Sequence, residues 1–515
     1  MTGIYRKYKG FAAAILTVFI LCAVLSGCAA KEAPAEPGAP SEEPASSAAQ
    51  EGTSVQAPSE APYPDGPTEE LSQRTSADLG AFELVKEKKP AAGGILETRS
   101  YIFPDGVSIE WGRLTGTEEP FRVFEETLSR GRAVYTRKTW WRDHELAPGS
   151  IPDGWIFIEG DAEKGDESFL LFTPRFYRLR ENGALQAVDP RNGSLDVSQT
   201  KSGLALTMES MAVPSGCCCD YMVMRGPEPL TVFDEAAFDF WMPFDNKGVW
   251  RWAFDGYYFQ ADPSYIPSGD GVYTNLPSCY VAGSLETGLY TYDCAEKLLL
   301  CLLHTMTEQV CERGYLESEA VSGWLMNDYG IDGAYYDTRF NSDFAEHCIR
   351  LYAKTGAAFL TGYLDRYMDY YTGFAQSCGW KPEGGEGIFV PDYWIAKDHR
   401  TPHTALNHQL AEMSVLYKLS GILERPELAE LSDRMLSAIE TTAERWIMPD
   451  DNLEYAILRD GTFGFTDYPL LTYNDLFDMQ KLLEEKKGAR SEKLDLLMEH
   501  KKLWMDRNGV KGYRQ

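Results

Sequence analysis

Hydrophobic and polar positions change rhythm several times along the chain. An apolar run from Phe11 to Val24 follows a basic head of Arg6, Lys7 and Lys9 and ends in Leu25-Ser26-Gly27-Cys28. From Lys31 to Gly66 Pro, Ala, Glu and Ser dominate, and Tyr63 is the single aromatic. From about residue 95 to 285 the period is near two. Phe176-Tyr177-Arg178-Leu179-Arg180 alternates, Asn182-Gly183 offers a turn, and Leu185-Gln186-Ala187-Val188 returns. Asn192-Gly193 offers a second turn before Leu195-Asp196-Val197, and Trp250-Arg251-Trp252-Ala253-Phe254 alternates again. Asn-Gly between alternating runs is the strongest short-range hairpin signal.

From about residue 290 the spacing becomes helical. Leu406, Leu410, Met413, Leu416 and Leu419 form one stripe, and Phe359, Leu360, Tyr363, Leu364, Tyr367, Met368 and Tyr371 form another. Leu351-Tyr352-Ala353-Lys354-Thr355-Gly356 is echoed by Leu416-Tyr417-Lys418-Leu419-Ser420-Gly421, and in both a helix is expected to stop at the glycine. Repeated helical hairpins point to an α/α toroid or half-toroid. The expected fold class is α+β: an antiparallel β-sandwich or barrel-like region over residues 95–288, then a helical domain over 289–515.

The basic head, short apolar core and small residues before a cysteine form the pattern of a lipoprotein signal peptide over residues 1–27. The apolar run of about 15 residues is short for a bilayer span, which needs ~20. Cys28 is then the lipidated first residue, and several acyl chains hold a protein stably on a membrane. Residues 28–94 are expected to be a disordered tether, since so few apolar side chains cannot offset ordering entropy. Fully extended, its Pro-rich part reaches on the order of 100 Å. Together these features predict a bacterial lipoprotein on the extracytoplasmic face of the cell membrane.

The formal net charge of −29 argues against nucleic acid as a partner, because phosphate binding needs a basic face. Of 11 cysteines, nine remain beyond Cys22 and Cys28, an odd number that cannot pair completely. No Cys-x-x-Cys pair flanks Cys217-Cys218-Cys219, so buried free thiols are expected.

Nucleotide-binding loops, nucleophile elbows and zinc-protease motifs are absent from the sequence. The densest polar region runs from Glu383 to Asn407 and holds Glu386, Asp392, Tyr393, Trp394, Asp398, His399, Arg400 and His403. His399, His403 and His408 fall close together, but their spacing fits no standard ligand motif, and neither a metal nor another cofactor is expected. Thr401-Pro402 suits a helix start. A second stretch pairs Glu454-Tyr455 with Arg459-Asp460, Asp467-Tyr468 and Tyr473-Asn474-Asp475. Tyrosine serves as an acid or base when a cation lowers its pKa. A third, Arg122 to Arg142 with Arg130, Arg132, Tyr135, Arg137, Lys138, Trp140 and Trp141, is a candidate anion-binding strip or a solvated strand edge.

Asp392-Tyr393-Trp394, Leu406-Asn407, Leu416-Tyr417-Lys418-Leu419, Tyr455 before Arg459, Asp467-Tyr468 leading to Asn474, and a closing helix near Trp504 follow one another in a particular order. Over roughly residues 340–506 this resembles the C-terminal domain of the D-glucuronyl C5-epimerases. The resemblance implies proton abstraction and return at C5 of a uronic acid within a polysaccharide, with a polysaccharide lyase as the related alternative. It implies acid/base roles for Tyr455 and Tyr468, and in this chain Asp398 or His399 stands available as a substitute. It assigns substrate contacts to Arg459, Asn407, Asn474, Arg400, Tyr393 and Trp394. Where the family carries acidic residues and a tyrosine after Asp-Tyr-Trp, this chain has Ile395-Ala396-Lys397. A non-catalytic glycan-binding or envelope-assembly lipoprotein on the same scaffold stays open beside the enzyme.

Overall fold

Strand pairing begins earlier than the sequence rhythm indicates. The computed structural model describes residues 72–515 apart from 138–139, 189–192 and 247–248. The basic head, Cys28 and the Pro-rich stretch therefore lie outside the described residues. Gln73–Asp78 pairs with Glu83–Ala91, which turns through Ala92 (φ 47°) and Gly93 (φ 84°) into Gly94–Ile102. Two consecutive left-handed residues are what a tight two-residue hairpin turn requires. Residues 73–94, expected as tether, thus belong to the sheet. Their charge disguised them: Glu83–Ala91 buries Leu84, Val85 and Ala91, while Lys88 faces out to Glu97 at 3.0 Å.

The main sheet is antiparallel and runs in the order 73–78, 83–91, 94–102, 108–115, 217–226, 168–179, 185–187, 272–275, 256–260, 250–253. A four-stranded sheet, in the order 121–128, 204–210, 195–199, 149–151, packs against it. Phe124, Leu195, Leu206 and Met208 from the smaller sheet interlock with Leu114, Ile156, Phe169, Leu171 and Tyr221 from the larger one. This is the expected sandwich. The Asn182-Gly183 hairpin forms, with Tyr177 opposite Ala187 and Leu179 opposite Leu185. Asn192 falls outside the described residues. The strand Leu195–Gln199 joins the smaller sheet instead of continuing the local hairpin. A helix, α1 (Glu235–Asn246), interrupts the strand region and lays Trp241 over Trp155, with ring centroids 6.3 Å apart.

The helical part comprises α2 (Tyr280–Glu286), α3 (Asp293–Thr307), α4 (Gly323–Tyr329), α5 (Thr338–Thr355), α6 (Ala358–Cys378), α7 (Leu406–Ile422), α8 (Pro426–Thr442), α9 (Leu471–Lys487) and α10 (Glu492–Arg507). The last six form three successive hairpins, α5–α6, α7–α8 and α9–α10, with α7 packed between α5 and α9. This is a half-toroid arrangement, with α5, α7 and α9 as its inner row. Both predicted stripes are buried except Phe359, which is half-buried. Helix α7 is buried nearly all round, polar Asn407, His408, Gln409 and Glu412 included, as a central helix must be. Gly356 caps α5 in the left-handed conformation (φ 69°), whereas Gly421 lies inside α7, which runs on to Ile422. The third hairpin has its own glycine stop, Gly488 (φ 72°).

Strand and helical regions cluster as one compact unit over Leu71–Gln515. Phe82, in the turn before Glu83–Ala91, and Tyr101 of the sheet pack on His304 of α3, and Phe82 also meets Phe359 of α6. All nine described cysteines are free thiols, seven of them buried. Among the described residues no helix is long and apolar enough to cross a membrane.

Candidate functional site

Each inner helix is preceded by a short piece of strand, and these pieces pair with one another. Tyr336–Asp337, before α5, pairs with Tyr393–Trp394. Thr404–Ala405, before α7, pairs with Glu454–Ile457, which forms a hairpin with Phe463–Thr466 before α9. The pairing draws residues far apart in sequence to the end of the bundle where the inner helices begin. Tyr265–Ile266 from the strand region pairs with Val321–Ser322 just before α4, which brings Tyr265 within hydrogen-bonding reach of Tyr335.

The centre of this region is His403, which is fully buried. Its Nδ1 lies 2.8 Å from the Tyr329 hydroxyl and its Nε2 lies 3.3 Å from Asp392 Oδ2. The rings of Trp324, Tyr393, Tyr455 and Phe465 surround it, with centroids 5.5 to 5.7 Å away. Asp392 accepts the Ala405 N–H on both oxygens at 3.0 Å, which fixes the carboxylate at the entry to α7. This contact and the 404–405 pairing start α7 at Leu406, later than Thr401-Pro402 suggested. His408 donates to or accepts from the Thr338 hydroxyl at 2.8 Å and lies 3.6 Å from Asp392. Asp337 caps α5 by accepting the Phe340 N–H at 3.0 Å.

Burial dominates the electrostatics. It pushes Asp337 up to about 8, with the Asp392 and Asp343 carboxylates adding to the effect. It pushes Asp392 to about 6 against the opposing pull of His403. Burial holds His408 well below the ordinary imidazole range, helped by the charges of Arg339 and His403. It raises Tyr455 well above the ordinary phenol value, and Tyr468, Asp392 and Asp337 add to that; a hydrogen bond with Tyr393 opposes it. Tyr329 rises to about 12 for the same first reason, offset by a hydrogen bond to the His403 backbone and by the Arg400 charge. Among the described residues, no group of three or more His, Cys, Asp or Glu could hold a metal ion.

No protein-family model matches this chain. No curated protein matches it either. Solved structures do. The Lin0763 protein of Listeria innocua aligns at 12% identity over 48% of this chain and 65% of its own, with TM-score 0.31. A family 76 glycoside hydrolase from a bovine Bacteroides thetaiotaomicron strain aligns at 10% identity over 78% and 75%, with TM-score 0.37. An unsaturated glucuronyl hydrolase specific for heparin aligns at 12% over 48% and 62%, with TM-score 0.31. The chain thus spans a little under two thirds of the length of the first and the third.

The structure brings together part of the sequence-predicted set. Tyr455 and Tyr468 meet edge to face, with centroids 5.5 Å apart, and Tyr393 joins them. Asn407 is buried on the first turn of α7, with no hydrogen-bond partner for its Oδ1. Trp394 pairs its backbone with Tyr336 and carries the Arg313 guanidinium 4.6 Å from its ring centroid. Arg400 is exposed. It bonds through its own N–H to the Tyr329 carbonyl (2.8 Å) and through Nη2 to the Asn327 carbonyl (2.6 Å).

Three predicted residues are used elsewhere. His399 bonds locally to the Lys397 carbonyl at 2.9 Å, in an exposed loop. Arg459 is exposed beside the tight turn joining Glu454–Ile457 to Phe463–Thr466 and acts electrostatically on Cys378. Asn474 accepts the Arg514 N–H at 2.9 Å and ties down the C-terminal tail. In the Arg-rich strip, Arg122 pairs with Glu209, Arg130 with Asp161, and Arg132 with Asp143 and Glu159, so these charges are matched within the sheet.

Tyr329, Trp324, Phe465, Tyr265 and Asp337 were missed. All but Phe465 stand outside the dense polar stretches, and no local spacing links them. Phe465 carried one readable signal, a large apolar residue in a polar hairpin. It is 47% exposed and holds a left-handed backbone (φ 67°), an arrangement of a kind that clusters at functional sites.

Proposed function

We propose that this chain is a lipid-anchored, extracytoplasmic protein acting on a uronic-acid-containing glycan, with C5 proton chemistry of the D-glucuronyl C5-epimerase kind. The observation that carries the reading is the convergence of Tyr393, Tyr455 and Tyr468 with Asp337, Asp392 and His403 where the inner helices begin. A C5 proton next to a sugar carboxylate is removable only if the developing enolate charge is stabilised, and a fixed cation does this best. Arg400 is exposed beside Tyr329 and supplies that cation. Inversion needs a base on one face of the ring and an acid on the other. Tyr455 is held neutral by burial, which fits it to donate a proton. Exposed Phe465 and half-buried Trp324 offer an apolar wall for the sugar ring. Leu25-Ser26-Gly27-Cys28 and the Pro-rich stretch after it support the anchor.

The test is deuterium incorporation at C5 when the purified chain meets a panel of uronate glycans in heavy water. Unsaturated product would mark a lyase, which shares the abstraction step and then expels the C4 substituent. Tyr455→Phe is expected to lower the rate by about 10²–10⁴-fold, the usual weight of a positioned acid. Neither exchange nor unsaturation across the panel would sink the reading. The anchor is tested separately: Cys28→Ser should move the chain from the membrane fraction to the soluble one.

The same burial that keeps Tyr393 and Tyr455 neutral, together with the exposed Phe465, favours glycan binding without catalysis as a second reading. Binding that survives Tyr455→Phe and Tyr468→Phe together, with no exchange by the unaltered chain, would select it.

A further inference from the structure

The chemistry proposed above needs a base as well as a donor, and burial keeps both Tyr393 and Tyr455 protonated. We infer that Tyr329 is the base, driven by a Tyr329–His403–Asp392 proton relay, with Arg400 holding the uronate carboxylate against it; the inference rests on the C5 reading.

The geometry fixes the direction of the relay. Asp392 stands 3.3 Å from His403 Nε2 and is itself pinned by the Ala405 N–H on both oxygens. The two are not aligned for a hydrogen bond, but the carboxylate charge on that side favours the proton on Nε2, which leaves Nδ1 as the bare nitrogen. The Tyr329 hydroxyl, 2.8 Å from Nδ1, therefore donates to it. The same orientation logic makes a hydroxyl nucleophilic in a Ser-His-Asp triad. The rings of Trp324, Tyr393, Tyr455 and Phe465 enclose the imidazole, which is fully buried. The Tyr329 oxygen is also held by the His403 backbone, and Arg400 lies close enough to favour its anion. Tyr329 differs from Tyr455 in this respect: a ring nitrogen stands ready to take its proton.

The step balances without any co-reactant. The C5–H bond breaks and an O–H bond forms on Tyr329. The proton already on Tyr329 moves to His403 Nδ1, and Asp392 stabilises the imidazolium. The C–H electron pair passes into the enolate, whose oxygens face Arg400. Return of a proton from Tyr455 or Tyr468 on the other face inverts the centre. Tyr329 then releases the C5-derived proton to solvent, His403 Nδ1 hands its proton back to that oxygen, and the tyrosine donor takes a proton from solvent.

The test uses the full chain labelled with ¹⁵N-histidine. The expected His403 spectrum is that of the Nε2–H tautomer. Tyr329→Phe, which keeps the ring packed on Trp324, should move the Nδ1 resonance downfield as its hydrogen bond is lost, and Asp392→Asn should release a tautomer mixture. An Nδ1–H tautomer in the unaltered chain, or an Nδ1 resonance that ignores Tyr329→Phe, overturns the relay. Where the unaltered chain exchanges C5 protons, Tyr329→Phe should cut kcat by about 100-fold or more and leave KM nearly unchanged. Full kcat in that variant also overturns it. An unaltered chain that exchanges nothing retires the C5 reading alone, and the tautomer measurement still decides the relay.

Discussion

Asp337 shows how strongly burial decides charge in this molecule. As the cap of α5 its carboxyl sits where backbone N–H groups favour an anion, yet it is pushed up to about 8. Burial outweighs the cap, and the neighbouring Asp392 adds repulsion. The stability consequence has a definite sign. A carboxyl raised in the folded state keeps its proton there while the unfolded chain loses one. Its contribution is therefore complete below about pH 4 and is lost as pH rises towards 8. Asparagine caps helices as well as aspartate does. Asp337→Asn should therefore gain on the unaltered chain by about 1.4 kcal/mol per pH unit across that window, read by urea unfolding at several pH values. Parallel pH profiles for the two chains would exclude the raised carboxyl.

At this same scale the sequence told which residue types matter better than which copies of them. Tyr393, Tyr455 and Tyr468 do meet, because each lies in or beside a strand that pairs at the helix entries. Arg459 lies only four positions beyond Tyr455 but follows the end of its strand, where the chain turns towards Thr462. His403 and His399 look alike in sequence. What separates them is that the Asp392 N–H donates to the His403 carbonyl at 3.0 Å, which seats His403 beside that residue. That tertiary pairing leaves no local trace.

Among elements, the two echoed glycines separate cleanly. Sequence alone makes Gly356 and Gly421 equivalent helix stops. Gly356 is one, since its φ of 69° is left-handed and costs a side chain strain. Gly421 is helical, and a Cβ there would meet nothing within 4 Å. Gly421→Ala should therefore stabilise the chain by up to about 1 kcal/mol, the propensity gap between glycine and alanine in a helix. Gly356→Ala should destabilise it by about 1 kcal/mol, which is the cost of forcing a Cβ into the left-handed region. Thermal unfolding of the two variants reads the opposite signs directly, and equal shifts would erase the distinction. The repeat itself was legible from two copies. The third, α9–α10, was hidden because α9 carries a mixed surface in which Asn474 and Asp475 serve the tail and Arg339.

Across the whole molecule, the sandwich and the helical hairpins are held together at α3. The change of period near residue 290 revealed two architectures but not their union, since the contacts that join them are single residues far apart. Glu308 at the end of α3 receives Arg99 of the sheet at 2.5 Å, and Lys86 also bonds to it. Beside them His304 is wedged among Phe82, Tyr101 and Phe359, with its Nδ1 3.4 Å from the Tyr101 hydroxyl. Burial lowers its pKa to about 4, with Lys86 and Arg99 adding to that and Glu308 opposing it. A base depressed in the folded state contributes stability above its unfolded value of about 6.5, and that contribution is lost as pH falls towards 4. The change amounts to about 3 kcal/mol for this one ring. Acid should therefore weaken the junction between sheet and helices before it reaches the hairpins themselves. His304→Phe keeps the aromatic packing and removes the proton, so its stability should fall less between pH 7 and pH 4.5, measured by urea unfolding. Hydrogen exchange at pH 4.5 should find the strands around Tyr101 opening first in the unaltered chain, with that difference gone in the variant. Equal acid sensitivity in the two chains would remove His304 from the junction's energetics.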